Sequence, residues 1–238
     1  MDSNDYYIIP DIHHRIKWIP KFLHDYNPNK IIWLGDWNDF WHDTPFDSMK
    51  TGLFLAQLME QRPNDVFILS NHDVSYRFSA TDKYKGWGFS DAKCRAFHSQ
   101  FNPNLWDRFK IFHAEPFRGK KIVYSHAGFL PSFLPNGKFD EDFGRRVEAQ
   151  AFKLANTSAT TSWLDSEFGP IWVRWPKLQV IDDIYQCVGH TPQKRPQIVK
   201  GEHTANINLD TNSDYFGYVN DDKFYYINRW TDKMRQLI

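Results

Sequence analysis

The chain has 238 residues, 29 Lys+Arg against 29 Asp+Glu, and 17% aromatic side chains. That length suits one domain that buries roughly 70% of its unfolded surface. Zero formal charge gives no overall steering toward nucleic acid or anionic lipid, two cysteines cannot build a disulfide framework, and no run approaches the ~20 apolar residues of a membrane helix. The opening segment MDSNDYYIIPDIHH lacks a basic start and a long apolar run, so no signal peptide is expected. A soluble cytoplasmic protein with reduced Cys94 and Cys187 is the expectation.

In chain order, the first short apolar run is YYII (6–9). RIKWIPKFLHDY follows with Ile16, Ile19, Phe22 and Leu23 at helical spacing, and Pro20 belongs in the first turn of that helix. IIWL (31–34) is the second strand, and SMKTGLFLAQLMEQR, with Leu53, Leu55, Ala56, Leu58 and Met59, the second helix. VFIL (66–69) is the third strand. This alternation predicts an α/β fold that starts with parallel strands. Residues 75–107 read as an irregular, partly helical insertion. KIVYS (121–125) is a further strand, and 141–164 is mostly helix, interrupted around NTSATTS. IYQCV (184–188), ANINL (205–209) and KFYYIN (223–228) complete a strand-rich second half, so a mixed sheet is expected. No linker or repeat divides the chain, and residues 1–238 read as one domain.

Five of these runs end in polar residues of one kind. PDIHH delivers Asp11 and His13, GDWND delivers Asp36 and Asp39, SNHD delivers Asn71 and His72, HAG delivers His126, and GHTP delivers His190. Any one of them is unremarkable, since Asn and Asp suit turns and a lone histidine is usually structural. Five such endings, all from the metal-ligand set, are hard to obtain by accident. The carboxyl ends of parallel strands share one edge, where ligands bind, so two packed sheets with a common edge would bring all five loops together. Asp11, His13, Asp36, Asn71, His126 and His190 are too many for one tetrahedral ion and a natural number for two. Their mixture of oxygen and imidazole donors suits Mn, Fe or Zn better than Mg or Ca. Two ions would need a bridging carboxylate, holding them roughly 4 Å apart.

The ordered set DIH, GDWND, NHD, HAG and GHTP resembles the calcineurin-like metallophosphoesterase superfamily, whose pattern is D-x-H, G-D, G-N-H-[DE], H and G-H. The match spans Asp11 to His190. Asp39, HAG, IWVRW (171–175) and NLDT (208–211) resemble the branch of Ser/Thr phosphoprotein phosphatases and bacterial diadenosine tetraphosphatases. The resemblance implies a four-layer αββα sandwich, two mixed β-sheets with helices on the outer faces. It implies that Asp11, His13 and Asp36 hold one divalent ion and that Asp36 bridges to a second, completed by Asn71, His126 and His190. Mn²⁺ is the expected metal, with Fe or Zn as alternatives. By the same resemblance His72 is the general acid, Asp39 orients it, and Arg174, with Asn71, faces substrate. The implied reaction is in-line attack on a phosphate ester by a hydroxide that bridges the ions.

The sequence also departs from that pattern. Pro10 precedes Asp11 where Gly is usual, His14 replaces a Gly, Ser70 replaces the Gly of G-N-H, and Phe40 stands where an arginine is expected. Phosphate binding is therefore less cationic, and the substrate is less constrained than the chemistry. A phosphoprotein, a nucleotide or another small phosphate ester is the expected partner. A dinucleoside polyphosphate hydrolase, a nuclease, a cyclic phosphodiesterase and a catalytically silent binding module stay open. With no evident basic stripe, neither a long nucleic acid nor a membrane is expected as partner. Asp73 is expected to make a turn or support a ligand. His14, His24, His42, His98, His113 and His203 are expected at the surface or behind the ligands. Arg77 could cap the site or form a surface ion pair, and Trp37 and Trp41 could stack on a base.

Overall fold

Strand β1 (Tyr6–Ile9) pairs in parallel with β2 (Ile31–Trp33), and β2 with β3 (Val66–Ile68). They belong to a computed structural model that describes residues 5–157 and 159–238. Helices α1 (Ile19–Tyr26) and α2 (Pro45–Gln61) make the two crossovers. Pro20 falls in the first turn of α1, where its missing N–H costs nothing. Helix α2 begins three residues before the apolar periodicity, because Thr44 and Asp47 close a reciprocal capping box ahead of it.

The insertion contains α3 (Asp73–Arg77), a 3₁₀ turn at Asp82–Tyr84, α4 (Asp91–His98) and a 3₁₀ segment at Pro103–Arg108. Strands β4 (Phe109–Lys110), β5 (Phe112–Phe117) and β6 (Lys120–Ser125) follow. The expected interrupted helix is α5 (Glu141–Ala155) and α6 (Ser162–Asp165). The chain ends with β7 (Ile184–Val188), β8 (Gln197–Lys200), β9 (Ala205–Asn208), β10 (Tyr215–Asn220), β11 (Lys223–Asn228) and β12 (Met234–Gln236). All seven expected strands are present. The other five, β4, β5, β8, β10 and β12, were not read from the sequence.

One sheet has seven strands in the order β12-β11-β10-β1-β2-β3-β4, the other five in the order β5-β6-β7-β9-β8. Both are mixed: β1 to β4 run parallel, as do β6, β7 and β9, while β10 to β12, β5 and β8 join antiparallel. Alternation along the strands builds the layers. Tyr6, Ile8, Ile32, Leu34, Val66 and Ile68 point inward to meet Ile122, Tyr124, Cys187 and Ile207 of the second sheet. Their neighbours Ile9, Ile31, Trp33 and Phe67 turn outward, to Ile19 and Phe22 of α1 and Leu55 and Met59 of α2. On the far side Val123 and Ile184 pack with Ala151 and Ala155 of α5 and Trp163 of α6. Sheets covered on both faces explain why the strands read as continuous apolar runs. Between the sheets the Tyr6 and Tyr124 hydroxyls bond to each other at 2.8 Å, which satisfies two buried phenols. Among the described residues no helix is long and apolar enough to cross a membrane.

Candidate metal centre and active site

The strand ends converge through main-chain ties. Leu34 N–H donates to Ile9 O (2.8 Å), His13 N–H to Asp36 O (2.6 Å), and Gly189 N–H to His126 O (2.8 Å). Asp36, Asp39, His13 and His190 all have positive φ (52°, 60°, 45° and 67°), a region that Asp and His enter more readily than bulkier residues. Several strained residues in one place mark a locus whose surroundings hold it in that geometry. Gly189 permits the closest approach: a Cβ there would lie 2.0 Å from Asp11 Oδ1. With none, the His190 N–H donates to both Asp11 oxygens at 3.0 and 3.1 Å.

Each of the three candidate ligand histidines has one nitrogen turned to a main-chain carbonyl. His126 Nδ1 donates to Leu34 O at 2.7 Å, His190 Nε2 to Trp172 O at 2.9 Å, and His13 Nδ1 to Asp39 O at 2.5 Å. A carbonyl only accepts, so these contacts fix the tautomers and leave the opposite nitrogen as a lone pair. Burial is the largest effect on His126 and His190 and lowers both pKa values, which favours neutral rings. The lone pairs of His126 Nε2 and His190 Nδ1 then face each other at 3.2 Å. Asn71 Oδ1, also an acceptor, lies 2.8 and 3.0 Å from them. Asp36 Oδ1 is 3.5 Å from His126 Nε2 and, among the described residues, has no hydrogen-bond partner.

On the other side, His13 Nε2 lies 3.3 Å from Asp36 Oδ2. The ligand atoms of Asp11, His13 and Asp36 are all within 4.8 Å of one another, as are those of Asp36, His126 and His190. Buried lone pairs that face one another, as those of His126, His190, Asn71 and Asp36 Oδ1 do, are costly unless a cation sits among them. The donor chemistry therefore fits divalent ions, and Asp36 is common to both groups. The carboxylates feel the crowding. Burial, then Asp210 and Asp36, pushes Asp11 well above the usual carboxylate range. Burial would also raise Asp36, but the protonated forms of His126, His72 and His13 outweigh it and hold Asp36 low.

His72 leaves β3 beside Asn71 but takes no part in these clusters. Its Nδ1 donates to Asp39 Oδ2 at 3.0 Å, which leaves Nε2 without that partner. Burial would lower its pKa, but Asp36, Asp39 and Asp73 raise it to about 9. Asp39 is itself held: Tyr76 Oη donates to its Oδ1 at 2.8 Å and Lys93 Nζ at 2.7 Å, with Lys93 also paired to Asp43 at 2.8 Å. Tyr76 and Lys93 come from the insertion. Asp73 is structural, accepting from Trp37 N–H (3.1 Å) and Ser70 Oγ (2.7 Å).

A cavity of about 380 Å³ opens over Asp11, His13, Asp36, Asn71, His72 and His190, and Arg174 and Asp210 also line it. His126 lies beneath, fully buried. Arg174 is anchored by a 3.0 Å bond from Nη1 to His190 O. Sequence reasoning named neither Asp210 nor Arg15. Asp210 is buried inside the NLDT segment, and among the described residues its Oδ2 has no hydrogen-bond partner. The Arg15 guanidinium lies 4.4 Å from the centre of the Phe40 ring and 3.4 Å from Asn212 Oδ1, and both of those residues line the cavity. Phe40 thus seats a cation where the family pattern would supply one. Arg77 is away from the site, 3.8 Å from Asp107 and stacked on Phe152 at 4.0 Å. Trp37 is fully buried against Trp33 and cannot stack on a ligand, whereas Trp41 is 65% exposed on the cavity rim.

Two mixed sheets between helices gather, at their adjoining strand ends, side chains that could hold metal ions. The family model described as calcineurin-like phosphoesterase matches residues 6–230, so the chain belongs to that family and is a phosphoric ester hydrolase of a divalent-metal-binding class. No curated protein matches the sequence. Among solved structures it is similar to a cold-active protein tyrosine phosphatase, with 12% identity over 98% of this chain and 78% of that chain (TM-score 0.69). The structure of such an enzyme from a psychrophilic Shewanella species shares 13% identity over 98% of this chain and 80% of that chain (TM-score 0.63). At these identities the likeness is one of fold.

Proposed function

We propose that the chain is a dinuclear metal-dependent phosphatase acting on phosphate monoesters. The observation that carries this reading is the pair of ligand clusters that share Asp36, whose Oδ1 has no hydrogen-bond partner among the described residues. Asp11, His13 and Asp36 would hold one cation, and Asp36, Asn71, His126 and His190 the other. Mn²⁺ is the metal put forward, with Fe or Zn as alternatives that the mixture of carboxylate, amide and imidazole donors also suits. Divalent ions bound there supply neutralisation of phosphoryl charge and a lowered pKa for water. The rest is done by side chains. Arg174, which lines the cavity, offers its guanidinium to phosphoryl oxygens, and Arg15 adds positive charge behind Phe40 and Asn212. His72 gives a proton from Nε2 to the leaving oxygen, because Nδ1 is committed to Asp39. Asp39, braced by Tyr76 and Lys93, sets the plane of that ring. We read the chain as one such domain and its setting as cytoplasmic, a reading supported by two free, buried cysteines, Cys94 and Cys187.

Metal removal tests this directly. Protein loaded with Mn²⁺ is expected to hydrolyse phenyl phosphate and phosphoserine, to lose that activity on exhaustive chelation, and to regain it when Mn²⁺ is restored. Activity untouched by chelation would refute the reading. So would a loaded protein inert on monoesters but active on dinucleoside polyphosphates or short oligonucleotides.

A further inference from the structure

The rim of the catalytic cavity carries aromatic rings that the chemistry above does not use. Trp41 and Trp87 are 65% and 57% exposed, and their rings meet edge to face with centroids 4.5 Å apart. Both line the cavity, next to Phe40. Single exposed hydrophobics are ordinary, but adjoining exposed tryptophans at the mouth of a polar site mark a binding surface. The chain builds this rim with care. Trp87 belongs to the insertion, and Gly88, at φ +86°, lets that loop lie against Asp39. A Cβ at Gly88 would be 2.8 Å from Asp39 Cβ. The loop is pinned further by Lys85, which pairs with Asp82 and Asp91 at 2.7 and 3.1 Å. The residue that orients His72 therefore also positions the loop that carries Trp87.

We infer that Trp87 and Trp41 form a subsite for the aromatic ring of an aryl phosphate monoester, of which a phosphotyrosyl side chain is the form proteins carry. This rests on the phosphatase reading and names its substrate class. The argument is one of reach. The Trp87 and His72 ring centroids are 6.1 Å apart, nearly perpendicular. Aromatic rings pair favourably at about 4.5–7 Å between centroids. In an aryl ester the oxygen that receives the proton is bonded to the ring itself. An oxygen within hydrogen-bond reach of His72 can therefore carry its ring to pairing distance of Trp87, on the side of the cavity that Trp87 lines. In a nucleotide a pentose and a methylene separate the ester oxygen from the base, so the base is not held at that distance. In phosphoserine no ring exists to be held. The rim thus selects by ring position, while the centre beneath it does the same chemistry on any monoester.

The test compares Trp87→Ala and Trp41→Ala with the unaltered protein, each loaded with Mn²⁺, on phosphotyrosine, phosphoserine and adenosine monophosphate. Both side chains are mostly exposed, so their loss leaves the core intact. For Trp87→Ala, kcat/KM on phosphotyrosine should fall about tenfold, mostly through KM, because a ring contact present in both ground and transition states is uniform binding. Phosphoserine should change less than about twofold. Quenching of tryptophan fluorescence by benzylphosphonate, not matched by propylphosphonate and lost in Trp87→Ala, supplies a readout independent of turnover. Equal losses on all three esters would overturn the subsite and make the loop a structural brace. A loss confined to adenosine monophosphate would overturn it in favour of a nucleobase site. An unaltered protein inert on all three esters would instead sink the phosphatase reading, and the fluorescence arm would still decide whether the rim binds a ring.

Discussion

Asp36→Asn should abolish activity more completely than the loss of any single histidine ligand. The two Asp36 oxygens serve different neighbours, Oδ2 facing His13 Nε2 at 3.3 Å and Oδ1 facing His126 Nε2 at 3.5 Å. An amide keeps one of those acceptors and turns the other into a donor aimed at a lone pair. With two cations bound as proposed, one would lose a ligand and the other charge, whereas His126→Asn or His190→Asn would impair one cluster only. The substitution is a fair test because the main chain is undisturbed: Asn also accepts a positive φ, and the 2.6 Å bond from His13 N–H goes to the Asp36 carbonyl, which remains. Removing a mere hydrogen-bond partner of a metal ligand typically costs roughly 10–100-fold. Asp36→Asn should exceed that, with at least one ion missing by elemental analysis. A variant that keeps both ions and most of its rate would refute the sharing of Asp36.

The second large effect is expected at His72. His72→Asn should retain both ions and the fold, since His72 hydrogen-bonds to Asp39 and contributes no ligand atom to either cluster, meeting His13 only ring to ring. Its rate should fall by about 10²–10⁴-fold, the usual contribution of a positioned proton donor. The loss should depend on the leaving group. A serine alkoxide leaves poorly and needs the proton, whereas nitrophenolate leaves well without it. The variant should therefore be hurt more on phosphoserine than on nitrophenyl phosphate. Asp39→Asn should move in the same direction but less far, because the amide oxygen can still accept from the ring and Lys93 keeps Asp43 as its partner. Equal losses on both esters, or departure of a metal from His72→Asn, would show that the roles within Asn71-His72 are wrongly divided.

What could be read from the sequence follows from where burial and chemistry coincide. Strands β1, β2, β3, β6, β7 and β9 lie inside their sheets, so they appear as apolar runs, and five of these runs end at the residues that converge. Four of the five strands that escaped notice are sheet edges. Strands β4 and β12 close one sheet, β5 and β8 the other. Edges are short, charged or interrupted, which guards against pairing with other chains. β5 contains Pro116, β8 ends in a lysine, and all three residues of β12 are exposed. The fifth, β10, is broken as a run by Gly217, which lies against Ile8 and Leu209.

At the site, the ligand types gave the candidates, but their supports were hidden. Lys93 stands between Asp91 and Arg95 and reads as a solvated helix face. Only the packing of α4 on α2 buries it against Asp39 and Asp43. Tyr76 reads as core. Arg15 follows two histidines in a loop, and nothing in its neighbourhood announces Phe40, 25 positions later, as its seat. Asp210 was available inside NLDT, yet only its burial beside Asp11 marks it as part of the cavity.

The central claim is that one carboxylate, Asp36, joins two cation sites. Crystals grown in Mn²⁺, with data collected at the manganese edge, address it most directly. Two anomalous peaks are expected, one among Asp11, His13 and Asp36 and the other among Asp36, Asn71, His126 and His190. A single peak, or none at these residues, would contradict the account.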